Sequence, residues 1–209
     1  MPKRAGGGRR RVRIIPESRL PRFHAALMQL PRVQRDYLQV LLYTGARRGE
    51  TAALQWRDID LEERVIRLRA ETTKAKRAAI IPMSSQLHAL FVARRALGDR
   101  SVFVFPSERR SRTGHLTETN AFGQIAKLSG VQISAHDLRR QFISTAESCE
   151  GVSFAAIKRL VNHSMPGDTT LGYVVLSLPT LRAQTQRISD RLDALMQVQP
   201  LPEDVVKLG

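Results

Sequence analysis

A short stretch in the second half of the sequence holds two side chains suited to phosphate chemistry. Within residues 134–142, His136 and Arg139 are three positions apart, so a helix would place them on one face. Leu138 and Phe142 form an apolar stripe that could anchor such a helix. A guanidinium can bind two oxygens and an imidazole can transfer a proton, which suits a phosphodiester. Because the same pair also occurs on ordinary solvated helices, the interpretation depends on the rest of the chain.

The charge of the chain indicates a polyanionic partner. The 209 residues include 34 Lys and Arg against 19 Asp and Glu, a formal net charge of +15. Nucleic acid is the first candidate and an anionic membrane surface is the second, although nothing besides charge favours a membrane. No apolar run is long enough to span a bilayer, and no secretory signal pattern opens the sequence. We therefore expect a cytoplasmic, nucleoid-associated protein with no membrane partner.

Cysteine and histidine usage predicts neither a disulfide nor a metal site. Cys149 is the single cysteine, so an intrachain disulfide is impossible, as is usual in a reducing cytoplasm. The five histidines are scattered and lack metal-ligand spacing. We expect no metal and no cofactor.

The elements that must position these residues are mainly helical. Apolar periodicity predicts helices over about residues 20–30, 33–43, 47–54, 84–96, 117–128, 134–142, 153–162 and 180–196. Two strands, at about 65–69 and 78–82, flank a basic turn, and 102–106 is a short buried run. Gly45 suits a left-handed helix end, and Phe154 of the helix over 153–162 is expected to face the core. The order predicts an α+β fold, a mainly helical domain with a small antiparallel β-sheet.

Three more blocks accompany the motif of His136 and Arg139. They are residues 44–50, which read TGARRGE; Lys74, eight residues before Pro82; and residues 160–164, which read LVNHS, followed by Tyr173. In this order the four blocks resemble the catalytic domain of the tyrosine recombinase (phage integrase) family. The resemblance covers roughly residues 15–195. We accordingly divide the chain into a flexible basic arm or linker remnant (1–14), a catalytic domain (15–196) and a C-terminal tail (197–209).

The resemblance implies a phosphate held by two arginines and attacked by a tyrosine. Arg47 and Arg139 would bind the two non-bridging oxygens, where negative charge grows during reaction. Both side chains are expected to point into this phosphate site and not into the core. Tyr173 would attack phosphorus and form a 3′-phosphotyrosine, which conserves the bond energy without metal or ATP. Tyr37 and Tyr43 are rival tyrosines, but both lie on an apolar helix and are interpreted as core.

The remaining roles also follow from the resemblance. Lys74 would protonate the departing 5′ oxygen, with Lys76 in the same turn as the alternative. His136 is the expected proton-transfer partner. His163 would donate a hydrogen bond to the phosphate, or else it only stabilises a helix C-terminus. Glu50 would orient neighbouring catalytic side chains without touching DNA, or else it is a plain ion-pair partner.

The chain departs from the family pattern in three places. Tyr173 follows His163 by ten residues, one more than usual, and Asn162 stands where glycine is common. The family also carries an N-terminal helical domain that closes around DNA, whereas only a basic arm precedes the catalytic domain here. We expect either that the chain is a fragment or that a partner or the arm supplies the missing contact with DNA.

The resulting expectation is a site-specific DNA recombinase or integrase of a phage or other mobile element. Alternatives are a type IB topoisomerase-like strand transferase and an inactive or truncated DNA-binding remnant. The expected partner is double-stranded DNA. On it we expect a homo-tetramer formed through the C-terminal helix, with a monomer possible without DNA. The helix over 180–196 suggests this role because its apolar positions have no evident groove within the chain; they are Leu181, Ile188, Leu192 and Leu195.

Overall fold

The computed structural model describes residues 14–73, 76–107, 112–116, 120–161 and 176–198. Lys74, His163 and Tyr173 lie outside these ranges. The predictions made for those three side chains therefore remain predictions.

Eight α-helices make up most of the described chain. Serine side chains cap three of them, since Ser84, Ser153 and Ser177 each accept a hydrogen bond from a main-chain N–H of the first turn. Gly45 ends the second helix in the left-handed conformation, with φ of 61°, as predicted. The helices are α1 Leu20–Met28, α2 Arg32–Thr44, α3 Arg48–Ala52, α4 Ser85–Arg95, α5 Ala121–Ser129, α6 Ala135–Ser148, α7 Phe154–Leu160 and α8 Leu178–Met196.

A three-stranded antiparallel sheet lies between α3 and α4 in the chain. Its strands are β1 Ile59–Asp60, β2 Val65–Leu68 and β3 Ala79–Pro82, in the order β1-β2-β3. β2 pairs with β3 from Val65↔Pro82 to Leu68↔Ala79. The α+β prediction is confirmed. β1 was not predicted because two residues are too few to show an alternating pattern.

The main core forms where α2 packs against α6, and α1 packs against α5 and α8. Leu138 and Phe142 are fully buried, so the predicted apolar stripe does anchor α6. Two expectations about burial were wrong. Phe154 was expected to face the core but is 58% exposed, and the ammonium of Lys158 lies 4.8 Å from its ring centroid. Val102 is 65% exposed, although Val104 and Phe105 of the same run are buried.

The last helix is part of the core of its own domain. α8 contacts α1, α6 and β3, and Leu181, Ile188 and Leu192 are buried there. The expectation that this apolar face has no groove within the chain is therefore wrong, whereas the homo-tetramer expected through this helix stays a prediction. None of the helices in the described part of the chain combines the length and hydropathy that a membrane crossing requires.

Candidate active site

The turn between α2 and α3 presents Arg47 and buries Glu50. Arg47 is the extended residue just before α3, and Glu50 lies in the first turn of that helix. One Glu50 oxygen accepts the Arg47 main-chain N–H at 3.1 Å, and the other accepts Arg47 Nη1 at 2.8 Å. The Glu50 side chain is only 3% exposed, against 28% for that of Arg47. The carboxylate thus holds both the backbone and the guanidinium of Arg47.

Arg139 lies inside the protein on α6. Its Nη1 donates to the carbonyl of Gly45 at 2.5 Å, and its Nη2 donates to the carbonyl of Val161 at 2.6 Å. The residue is 5% exposed. We expected this side chain to point into a phosphate site and not into the core. Its burial shows that the second part of this expectation is wrong. The two bonds use two of the five N–H groups that a guanidinium carries.

The two arginines lie close enough to influence each other. Burial and, to a smaller extent, the positive charge of Arg47 lower the pKa of Arg139 to about 10, while Glu50 opposes the change. Arg139 therefore remains protonated at neutral pH. Two guanidinium groups and one carboxylate leave an excess of positive charge, which favours an anion at this place.

The start of α6 determines how His136 and Arg139 are presented. The Ser134 main-chain N–H and hydroxyl donate to Asp137 Oδ2 at 2.9 and 2.7 Å, which begins the helix there. His136 is exposed in the first turn, whereas Arg139, one turn later, is buried. The two residues that sequence spacing places on one face thus differ in their access to solvent.

α7 brings the last sequence block to Arg139. Gln184 of α8 accepts the main-chain N–H of Ser153 at 2.7 Å, at the residue that caps α7. The helix then leads to Val161, whose carbonyl binds Arg139. Because Gly45 belongs to the first block and Val161 to the last, Arg139 joins three of the four blocks. Sequence reasoning missed these two carbonyls because main-chain atoms leave no residue-type signal.

The rival tyrosines belong to the core, as predicted. Tyr37 is 2% exposed and donates to the carbonyl of Arg48 at 3.1 Å. Tyr43 is 4% exposed and bonds to Asp193. Burial raises the pKa of both phenols. Neither hydroxyl is suited to attack a phosphodiester in solvent.

Comparison with known proteins identifies the family. The sequence model of the phage integrase family matches residues 13–177. Prophage integrase IntZ of Escherichia coli K12 is 36% identical over 93 residues, which cover 44% of this chain and 23% of IntZ. Prophage integrase IntF of the same organism is 32% identical over 130 residues, which cover 61% of this chain and 27% of IntF. The chain thus spans only about a quarter of these two relatives.

Solved structures share the fold. The integrase of mycobacterium phage Brujita matches with a TM-score of 0.66 at 19% identity, over 94% of this chain and 63% of that one. XerA recombinase matches with a TM-score of 0.59 at 22% identity, over 91% and 66%. The Tn1549 transposon integrase, in complex with transposon right end DNA, matches with a TM-score of 0.56 at 19% identity, over 88% and 67%. As the resemblance of the four blocks predicted, the chain belongs to the phage integrase family.

Proposed function

We propose that this chain is a site-specific DNA recombinase that cleaves and rejoins strands through a covalent 3′-phosphotyrosine, using neither metal nor ATP. The observation that carries the proposal is the pair of guanidinium groups of Arg47 and Arg139, whose charges interact with each other and with the buried carboxylate of Glu50. Like charges repel, so such a pair is best explained by an anion that binds between them. A phosphodiester of DNA has the required charge and two non-bridging oxygens.

In this proposal the arginines act on the charge of the transition state. The equatorial oxygens of phosphorus gain negative charge as the nucleophile approaches, and positioned cations stabilise that charge. Arg47 is held by Glu50 and Arg139 is held by two carbonyls, so both guanidinium groups are positioned before the substrate binds. Glu50 acts through Arg47 and does not touch DNA.

The covalent step exchanges one phosphate ester for another. The Tyr173 hydroxyl attacks phosphorus, the bond from phosphorus to the 5′ oxygen breaks, and Lys74 gives that oxygen a proton. His136 accepts the proton that the Tyr173 hydroxyl loses, and His163 donates a hydrogen bond to the phosphate. Attack by a 5′ hydroxyl on the phosphotyrosine reverses the step and rejoins a strand. The bond energy is conserved throughout, which removes any need for ATP.

The proposed partner is double-stranded DNA. The formal charge of +15 favours a polyanion, and the Tn1549 integrase with the same fold is in complex with DNA. Such a partner would place the protein at the nucleoid. Assembly of four copies on DNA through the C-terminal helix stays a prediction.

A nicked suicide DNA substrate tests the proposal. After cleavage the short strand end is lost, so rejoining fails and the covalent protein–DNA adduct accumulates on a denaturing gel. The wild-type chain should form the adduct, and the modified peptide should contain Tyr173. Tyr173→Phe should bind DNA and form none.

The spacing of ten residues between His163 and Tyr173 makes peptide mapping essential. An adduct that persists in Tyr173→Phe, or that maps to Tyr37 or Tyr43, would overturn the assignment of the nucleophile. Retained DNA binding without any adduct would instead favour the inactive DNA-binding remnant.

A further inference from the structure

Thr73 is a buried residue in the polar hairpin between β2 and β3. It is 4% exposed, whereas Lys76 and Arg77 after it are exposed. Its Oγ1 accepts the main-chain N–H of Arg77 at 3.1 Å. The hydroxyl proton can be donated to the carbonyl of Arg77, 2.9 Å away, or to that of Ala70, 3.1 Å away. One hydroxyl therefore joins the chain before this loop to the chain after it.

This bond closes the hairpin where the sheet no longer does. The pairing of β2 with β3 ends at Leu68↔Ala79. Beyond that pair, the Lys76 main-chain N–H donates to the carbonyl of Thr73 at 3.1 Å, and Lys76 adopts a left-handed φ of 50°. A left-handed conformation is unfavourable for lysine, so the surrounding bonds must hold it. Thr73 supplies two of the contacts that do so.

The base of the same hairpin is tied to the helix of the first arginine. Arg69 Nε lies 2.9 Å from a carboxylate oxygen of Asp58, and Arg69 Nη2 donates to the carbonyl of Ala53 at 3.2 Å. Ala53 is the residue just after α3, and Arg47 is the residue just before that helix. The base of the hairpin, at Arg69, is therefore fixed relative to α3 and Arg47.

We propose that Thr73 is a positioning residue for the proton donor of strand cleavage. The inference rests on the proposed function, in which Lys74, the next residue in the sequence, protonates the 5′ oxygen. When the bond from phosphorus to that oxygen breaks, the oxygen keeps the electron pair and takes a proton from the lysine ammonium. The bonds of the Thr73 hydroxyl fix the main chain at residue 73, to which the proposed proton donor is joined. A displacement of about 1 Å at such a site can lower a rate on the order of a hundred-fold.

The test compares an oxygen with a sulfur leaving group. Thr73→Val keeps the shape of the side chain and removes the hydroxyl, and cleavage of ordinary nicked DNA should slow roughly ten- to a hundred-fold. In a substrate with sulfur at the bridging 5′ position, the leaving group is a thiolate. Because the pKa of a thiol is about 8.5, a thiolate can leave without prior protonation. On that substrate Thr73→Val and wild type should cleave within about three-fold of each other.

Three variants serve as controls. Thr73→Ser retains the hydroxyl and should cleave ordinary DNA near the wild-type rate. Thr72→Val removes a neighbouring hydroxyl that donates only to Arg69 within the same turn, at 2.8 Å, and should have little effect. Lys74→Ala should show the same rescue by sulfur as Thr73→Val, and Lys76→Ala should not. Thermal melting of each variant checks that it is folded.

The outcomes separate the positioning role from the proposed function. Equal slowing of Thr73→Val on both substrates, in a folded protein, would mean a purely structural role and would overturn the inference. The same holds if Thr73→Val cleaves ordinary DNA at the wild-type rate while Lys74→Ala is defective. No cleavage of either substrate by wild type would overturn the proposed function itself.

Discussion

Arg139 combines a buried position with a positive charge that the proposed function requires. Its guanidinium donates to the carbonyls of Gly45 and Val161, which lie 94 residues before and 22 residues after Arg139 in the sequence. The same group is near enough to Arg47 for the two charges to interact. A residue of this kind supports the site as well as belonging to it. Its loss should therefore lower the free energy of unfolding, whereas the loss of an arginine that contacts only the phosphate would not.

We predict that Arg139→Ala lowers the free energy of unfolding by about 3 kcal/mol, because two buried carbonyls lose their donor. Arg140→Ala is the matched control on the same helix. Arg140 makes only a long, partly exposed contact with Asp137 at 3.4 Å, and its removal should cost less than about 1 kcal/mol. Urea unfolding measures both. Equal stability of the two variants would show that the carbonyl contacts of Arg139 contribute nothing.

Gly45 is constrained both by its own backbone and by a neighbour. Its φ is 61°, and a Cβ atom there would lie 2.5 Å from the ring of Phe142. Gly130 has a similar φ of 70° but open space around it. We predict that Gly130→Ala costs about 1 kcal/mol from backbone strain alone, and that Gly45→Ala costs about 3 kcal/mol.

Thermal or urea unfolding of the two glycine variants separates backbone strain from crowding. Gly45→Ala should also slow cleavage, because it shifts the carbonyl that Arg139 binds and the start of α3. Gly130→Ala should cleave normally. If both variants lose the same stability, the approach of Phe142 to Gly45 is not tight.

At the scale of elements, α8 connects several parts of the domain. Its apolar side chains enter the core, and its polar ones bind neighbouring helices. Gln86 of α4 donates to Asp190 at 2.8 Å and to Asp193 at 2.9 Å, and Tyr43 of α2 also bonds to Asp193. α8 also holds the start of α7 through Gln184. The helix therefore supports the elements on which Arg139 and the Val161 carbonyl depend.

We predict that Ile188→Ala and Leu192→Ala each lower the free energy of unfolding by about 2–5 kcal/mol, as for other buried aliphatic side chains. Leu195, on the same helix, is only half-buried, and Leu195→Ala should cost clearly less. Urea unfolding gives the stabilities, and sedimentation with and without DNA gives the assembly state. Unchanged stability combined with lost multimers on DNA would instead show that this face of α8 serves assembly.

At the scale of the whole molecule, the positive charge should control DNA affinity. A chain of net charge +15 that contacts about six to ten phosphates should bind roughly 10³- to 10⁵-fold more weakly at 200 mM than at 50 mM salt, because bound counterions are released. Fluorescence anisotropy with a labelled duplex measures the slope. A duplex of scrambled sequence should give nearly the same slope, since phosphate contacts carry no sequence information. A binding constant independent of salt would contradict this expectation.

The sequence by itself determined the features that depend on neighbouring residues. The serine before α4 and Gly45 after α2 act within one turn of chain, and their effect is visible in residue type and position. The apolar stripe of Leu138 and Phe142 likewise predicted α6. The four blocks and their order predicted the family, which the matched residues 13–177 confirm. The two strands of the hairpin were also evident from their composition.

Only the tertiary structure decided what covers each face and which atoms meet. Periodicity shows that a helix has an apolar side, but not whether that side meets its own domain or another copy, and for α8 it meets its own domain. Phe154 was expected to be buried and is exposed, because an apolar residue at the start of a helix need not meet a neighbouring element. The contacts of Arg139 were hidden because every residue has a carbonyl. Which carbonyl lies within reach of a guanidinium depends on how segments distant in sequence pack together.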